Sequence, residues 1–196
     1  MTTQLSDSTL EQLFTEARTV HAFMPVEVSD SKIQALYDLC KWGPTAFNSQ
    51  PARFIFVKSP EAREKLKPAL MAGNVPQMES AAATVIVAYD SEFYEHLPQQ
   101  FPNYEAKAIF ENNAEAAYAT AFRNSSLQGG YLILAARALG LDSGAMSGFD
   151  PKKINDTFFP DGRFKVNFLL NIGIADSKGI HPRGPRLRFD EAAQIL

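Results

Sequence analysis

From Ala114 to Leu139 the chain reads AEAAYATAFRNSSLQGGYLILAARAL, a helix-period segment opened by Asn113 that is rich in Ala, Leu and small residues and apolar nearly all the way round. A helix of this kind cannot leave half its circumference in water and has to be packed on several sides. The rest of a 196-residue chain must therefore wrap against it. It also carries more hydrophobic surface than one domain of this size needs to cover, so a second copy of the chain is expected to take up the remainder. Gly140 is its natural stop. Gly129-Gly130 inside it either permits close approach of a neighbouring element or is a tolerated small-residue packing site.

Around this helix the pattern alternates in kind. Ala83–Tyr89 (ATVIVAY) is apolar on consecutive positions, as a central strand buried on both faces would be, and Lys165–Ile174 (KVNFLLNIGI) reads as a second buried strand. Phe54–Val57 and Asp142–Met146 are shorter extended pieces. Ser8 precedes Leu10, Leu13, Phe14 and Ala17, a capped amphipathic helix ending near Arg18. Ser29 or Asp30 opens a second helix with apolar face Ile33, Leu36, Tyr37 and Cys40, stopped by Gly43-Pro44. Ser59-Pro60-Glu61 opens a third that runs to about Leu70 and is ended by Gly73-Asn74, and Asp150-Pro151 starts another. This order lacks strict βαβ alternation, so the fold class is α+β. The stretch from Ala175 to Leu196 is polar, with Pro182 and Pro185 among Arg183, Arg186 and Arg188; it is expected to be an extended arm lying on a second subunit.

Charge and composition exclude several functions. Lys plus Arg total 19 against 22 Asp plus Glu, a net charge of -3, so no global field draws polyanions, and neither nucleic acid nor an anionic membrane is an expected partner. A local basic cluster can still bind one phosphate. The single cysteine, Cys40, forms no intrachain disulfide, and His21, His96 and His181 show no zinc-ligand spacing, so no metal is expected. Met1–Leu10 is polar, without a basic start or an apolar run, and the longest apolar stretch, Tyr131–Ala136, falls far short of the ~20 residues of a membrane span. A cytoplasmic location is expected. There is no G-x-G-x-x-G, P-loop, G-x-S-x-G or H-E-x-x-H, so the chain must borrow its reactivity, and no catalytic side chain is nominated.

Four polar segments fall at element ends. Arg18-Thr19-Val20-His21-Ala22-Phe23 offers a bidentate phosphate donor and a hydroxyl, although Arg18 can equally neutralise the carbonyls of the helix it ends. Gly43-Pro44-Thr45-Ala46-Phe47-Asn48-Ser49-Gln50-Pro51 is crowded with amides and hydroxyls able to bond a neutral heteroaromatic ring, or to build an ordinary turn. Ala145-Met146-Ser147-Gly148-Phe149 presents backbone amides and a thioether at a strand end. The fourth is the arginine set of the tail, otherwise a solvated basic end.

Together these segments resemble the nitroreductase-like flavoproteins. Residues 18–23 resemble that family's R-S-x-R-x-F motif and Gly43 to Phe54 its A-P-S-x-x-N-x-Q-P-x-x-F loop. Ser147-Gly148-Phe149-Asp150 after Gly140-Leu141-Asp142 is similar to the segment beside the flavin, and Pro182 to Arg186 to the C-terminal basic motif. With the runs Phe122-Arg123-Asn124-Ser125-Ser126 and Asp90-Ser91-Glu92-Phe93-Tyr94, the likeness is nearest the branch that includes the malonic semialdehyde reductase of pyrimidine breakdown.

The resemblance implies a single domain over residues 1–196 with a central, mostly antiparallel sheet flanked by helices, in an entwined homodimer that exchanges residues 175–196. It implies FMN as cofactor and NADH or NADPH as reductant. Arg18, Thr19, His21, Arg183 and Arg186 would serve the phosphate and ribityl chain. Pro44, Thr45, Asn48 and Gln50 would approach the ring from the partner, and Asn74, Met146, Ser147 and Gly148 would line its other edges. The acceptor would be a short semialdehyde, converted to 3-hydroxypropionate in the malonic case, or a nitroaromatic or quinone; a flavin carrier without turnover is the alternative. His21 stands where the family usually has Arg or Lys, Thr19 where it has Ser, and Val75–Glu79 lacks the usual basic residue.

Overall fold

The computed structural model describes residues 3–196. A four-stranded antiparallel sheet, in the order β1 (Ala52–Val57), β2 (Ala83–Asp90), β4 (Phe164–Gly173), β3 (Asp142–Met146), carries helices on both faces. The helices are α1 (Asp7–Leu10), α2 (Asp30–Cys40), α3 (Pro60–Leu66), α4 (Val75–Ser80), α5 (Leu97–Gln100), α6 (Lys107–Glu111), α7 (Ala114–Ala138), α8 (Pro151–Phe158) and α9 (Phe189–Ala192). None of them is long and apolar enough to cross a membrane.

Strand β2 shows why its sequence is apolar at consecutive positions. Val85 and Val87 face one side with Leu170 and Ile172 of β4, against Leu36 and Cys40 of α2 and Leu132, Ala135 and Ala136 of α7. Ile86 and Ala88 face the other, with Leu169 and Val166, against Leu66 of α3, Met78 of α4 and Ile154 of α8. Val85 through Ala88 are all fully buried, each valine or isoleucine contributing roughly 1.5–3 kcal/mol of transfer free energy.

Helix α7 is held to the sheet by a fit that only glycine allows. A Cβ on Gly129 would lie 2.4 Å from Phe168 Cζ, whereas one on Gly130 would meet nothing within 4 Å. Close approach is thus the role of Gly129 alone. Two buried carboxamides on the same helix reach the chain before β1: Gln128 Oε1 accepts from Ala52 N at 2.9 Å and Asn124 Oδ1 from Ala46 N at 2.9 Å. Opposite them, Tyr118, Phe122, Leu127 and Tyr131 lie exposed along a broad apolar groove.

Several elements differ from the sequence-based expectations. The first helix is capped by Ser6 rather than Ser8, and after Leu10 it widens into an i→i+5 turn over Glu11–Thr15. Here it docks on the end of α7, with Gln12 Nε2 donating to Arg137 O at 2.6 Å and Arg137 Nη1 donating to Leu13 O at 2.7 Å. Tyr37 of α2 is exposed instead of packed. Gly73-Asn74 does not end the third helix: a tight turn over Ala72–Asn74 leads into α4, with Pro76 in its first turn. The short helices α5 and α6 gain stability from burial rather than propensity, since Leu97, Ala106 and Phe110 close with Phe93 over Ala117 and Ala121 of α7.

The tail does not leave the domain at Ala175. Phe23 pairs with Ala175 and Val20 with Ile180, Asp176 N donates to Ala22 O at 3.0 Å, and His21 N donates to Gly179 O at 2.9 Å. A Cβ on Gly179 would sit 2.2 Å from Ala22 N, so this close return requires glycine. Nor is the remainder wholly extended, because α9 forms a single turn in which Arg188 N donates to Glu191 Oε2 at 2.8 Å. Leu187 and Phe189 project into solvent.

Cys40 is fully buried between α2 and α7, its thiol donating to Gln128 O at 3.3 Å. Burial pushes its pKa up to about 12, above the ~8.5 of an unfolded thiol. The folded state therefore keeps a proton that the unfolded chain has lost, and the associated stability is complete below the unfolded value and drains away as pH rises toward the folded one. Between pH 8 and pH 10 the wild type should lose about 2 kcal/mol more than Cys40→Ala in denaturant unfolding. Parallel pH profiles of the two proteins would contradict it.

Candidate functional site

The first site element is a 410 Å3 hollow beside the start of β3, walled by Arg18, Arg137, Arg183, Arg186, His21 and His181. The segment Thr19–Val20 reaches it by lying along β3, with Val20 N donating to Ser143 O at 3.0 Å. Gly144 makes that approach possible, since a Cβ there would be 2.2 Å from Val20 O. Arg18 Nη1 donates to Thr15 O and Ala17 O at 3.0 Å each, so it does cap the end of the first helix. Arg183 Nη2 reaches the same carbonyls, at 2.5 Å and 2.9 Å, while Arg186 is bonded only to the nearby Gly184 and Pro185 carbonyls. The rings of His21 and His181 lie 5.1 Å apart.

No carboxylate of the described residues lines this hollow. Four arginines share it, with backbone carbonyls as hydrogen-bond acceptors, and Glu16 and Asp142 border the adjoining hollow beside Arg18 and Arg137. Arg137 registers the strain: burial first, and then the charge of Arg183, pull its pKa below the ordinary arginine range. Such a donor set fits a phosphate dianion, which would meet rigid forks from several sides.

The second element lies further along β3. Asn74 Nδ2 donates to Gly148 O at 2.8 Å, and Gln77 Nε2 to Asn74 Oδ1 at 2.7 Å. A Cβ on Gly148 would sit 2.5 Å from Asn74 Nδ2, so a larger residue there would displace this carboxamide. Ser147 is exposed beside them. Met146 does not join the group. Its side chain is buried in the core between the sheet and α8, with the Asn171 amide 3.7 Å from its sulfur.

The third element is the loop before β1. Phe47, Asn48 and Gln50 have φ of 53°, 50° and 40°, the left-handed region that costs a non-glycine residue roughly 1–2 kcal/mol. Three such residues within four persist because the surroundings over-determine them. The Phe47 ring packs among Phe101, Tyr104 and Phe110. Thr45 Oγ1 accepts from Gln50 N at 3.1 Å, and Asn48 Nδ2 donates to Gln100 O at 3.2 Å. Gln50 Nε2 donates to Asn48 Oδ1 at 2.9 Å, and Pro44 is exposed. The loop thus carries its carboxamides as one preset group.

These elements do not converge within one chain. The arginine hollow adjoins the start of β3, at one edge of the sheet. The strained loop enters the start of β1, at the other edge and the opposite end, because Ala52 pairs with Tyr89 and Tyr89 with Lys165, while Asp142 pairs with Gly173. Three strand spacings of about 4.8 Å and a strand length of about 20 Å separate these diagonal corners.

The Nitroreductase family model matches residues 14–174. A protein of Ralstonia nicotianae named by inference as an NADH dehydrogenase/NAD(P)H nitroreductase is 53% identical, over 98% of this chain and 98% of its own. The chain belongs to the nitroreductase family. A similarly named protein of Stenotrophomonas maltophilia is 53% identical over the full length of both chains. The crystal structure of a protein from Exiguobacterium sibiricum, named by inference as a nitroreductase, in complex with FMN superposes with a TM-score of 0.86, at 26% identity, over 100% of both chains.

Within this nitroreductase fold, sequence reasoning missed Arg137, His181 and Gln77. Arg137 occupies the last turn of α7, where a cation needs no special explanation, and nothing in spacing ties it to Arg18 or Arg183. Inorganic phosphate should raise the melting temperature of the ligand-free protein by binding the hollow, and Arg183→Ala should weaken that binding by roughly tenfold, the equivalent of one charge-assisted hydrogen bond. A thermal-shift titration identical to that of the wild type would remove Arg183 from the site.

Proposed function

We propose that this chain is an FMN-dependent NAD(P)H oxidoreductase that works as a homodimer and passes hydride to a small acceptor. The observation that carries the reading is the division of the site: an acid-free hollow of four arginines on one corner of the sheet and a preset carboxamide loop on the diagonal corner. A second copy seated on the exposed face of α7 supplies the missing half. Arg18, Thr19, His21, Arg183 and Arg186 would hold the FMN phosphate, with Arg137 and His181 beside them. Asn74, Met146, Ser147 and Gly148 would meet the ring from the same chain, and Pro44, Thr45, Asn48 and Gln50 from the partner. When bound, FMN accepts hydride from a nicotinamide and delivers it to the acceptor; the residues bind, orient and exclude water.

A short semialdehyde such as malonic semialdehyde is supported by the branch resemblance, and a nitroaromatic or quinone by the names of the relatives. NADH and NADPH both remain candidate reductants. The arm that crosses to the partner would begin at about Gly184, since the chain up to Arg183 is tied to its own domain. The composition supports a cytoplasmic enzyme without nucleic-acid or membrane partners.

Purified protein should be yellow and should bleach on addition of NADH or NADPH under argon. Yellow protein that never bleaches would favour the carrier reading, and failure to take up FMN would end both. Arg18→Ala should lose roughly 2–4 kcal/mol of FMN affinity, the worth of a bidentate charged contact. Leu127→Asp, at the centre of the exposed α7 face, should yield a monomer by light scattering that also releases FMN. A monomer retaining FMN with unchanged affinity would show that the partner contributes nothing to the site.

A further inference from the structure

Asp90, at the end of β2, is a carboxylate with no exposure to solvent. Its Oδ1 accepts from Arg163 Nε at 2.9 Å, and its Oδ2 from Arg163 Nη2 at 3.0 Å and from Arg53 Nη2 at 2.6 Å. Glu92 N adds a further bond at 2.9 Å, and the Asp90 N–H donates to Pro51 O at 2.9 Å. Arg163 alone compensates the buried charge in a bidentate pair. Arg53 does something more, because its Nη1 donates to Gln50 O at 3.0 Å and to Ala52 O at 2.9 Å. The guanidinium is a rigid planar fork, so fixing one nitrogen on Asp90 fixes the other against the strained peptide of Gln50.

We propose that Arg53, clamped by Asp90, is a positioning residue: it sets the peptide plane of Gln50 and so the direction in which the paired carboxamides of Gln50 and Asn48 face their ligand. This assignment rests on the FMN reading above for the identity of that ligand. The geometry separates the role from simple charge compensation, since Lys at position 53 can neutralise Asp90 but cannot also bridge two carbonyls.

The test compares Arg53→Lys with wild type as holoprotein and as ligand-free protein. Thermal unfolding and dimer mass should match wild type, while the visible circular dichroism of bound FMN changes and its dissociation constant rises by about tenfold, the scale of one charge-assisted contact. In the ligand-free protein, amide hydrogen exchange across residues 44–52 should accelerate. A lysine variant with the wild-type flavin spectrum, affinity and loop exchange would overturn the proposal. Should the lysine variant unfold, Arg53→Gln is read in the same way: it removes the fork at position 53 and leaves the Arg163–Asp90 pair in place. If the wild type binds no FMN, the functional reading fails, and the exchange measurement still decides whether Arg53 holds the loop.

Discussion

Helix α7 bears the architecture because it packs on all four strands, on α2 and on α6, and its contacts are of three different kinds. Toward the sheet it presents Gly129, which lets Phe168 approach closer than any side chain would permit. Toward the loop before β1 it presents buried carboxamides, and a buried carboxamide that is hydrogen-bonded is worth keeping, whereas one left alone costs on the order of 1–3 kcal/mol. Asn124 and Gln128 are satisfied by the loop and strand backbone, so the loop cannot swing away without stranding them. The third face is apolar and uncovered in the single chain.

Charge is distributed with the same division of labour. The net value of -3 conceals two arginine clusters with opposite solutions. At the β1 corner, Arg53 and Arg163 are neutralised by Asp90, and the result is a rigid junction between β1, β2 and β4. At the β3 corner, Arg18, Arg137, Arg183 and Arg186 line a hollow that no carboxylate of the described residues enters. Unpaired cations at a helix C-terminus are tolerated because the carbonyl dipoles point at them, but tolerance is less than saturation, and an arriving anion finds donors already aimed. The first corner spends its charge on shape, and the second would keep it for the ligand proposed above.

Much of this was legible in advance where one local rule decides the outcome. The caps Ser29, Ser59 and Asp150, the run Ala83–Tyr89 and the whole of α7 are written in short-range pattern, and the structure has them. Arg18, Thr19, His21, Arg183 and Arg186, which the motif resemblance grouped, line one hollow. What escaped was governed by distant partners. The segments from Phe93 to Glu111 have weak helical pattern and fold because Phe93 and Phe110 find the small face of α7. The burial of the Met146 side chain beside Asn171 depends on β4, which lies far along the chain. The return of Ala175–Arg183 onto residues 20–23 depends on Gly179 fitting against Ala22, a contact that no spacing rule anticipates.

The diagonal placement of the two half-sites has an energetic consequence. If a ligand is gripped by the arginine corner of one chain and the loop of another, its binding and dimer formation become linked, and each strengthens the other by the same factor. The loop is already in its costly left-handed conformation without any ligand, held by Asn124, Gln100 and the Arg53–Asp90 clamp. The strain is therefore met during folding, and none of it is charged against binding. In such a dimer hydrophobic cover of α7 would provide the association, the preset loop would spare the ordering entropy, and the four arginines would provide the charge term. Each half of the site could then be optimised on its own rigid corner, and the two-fold symmetry would join both pairs of halves in a single event.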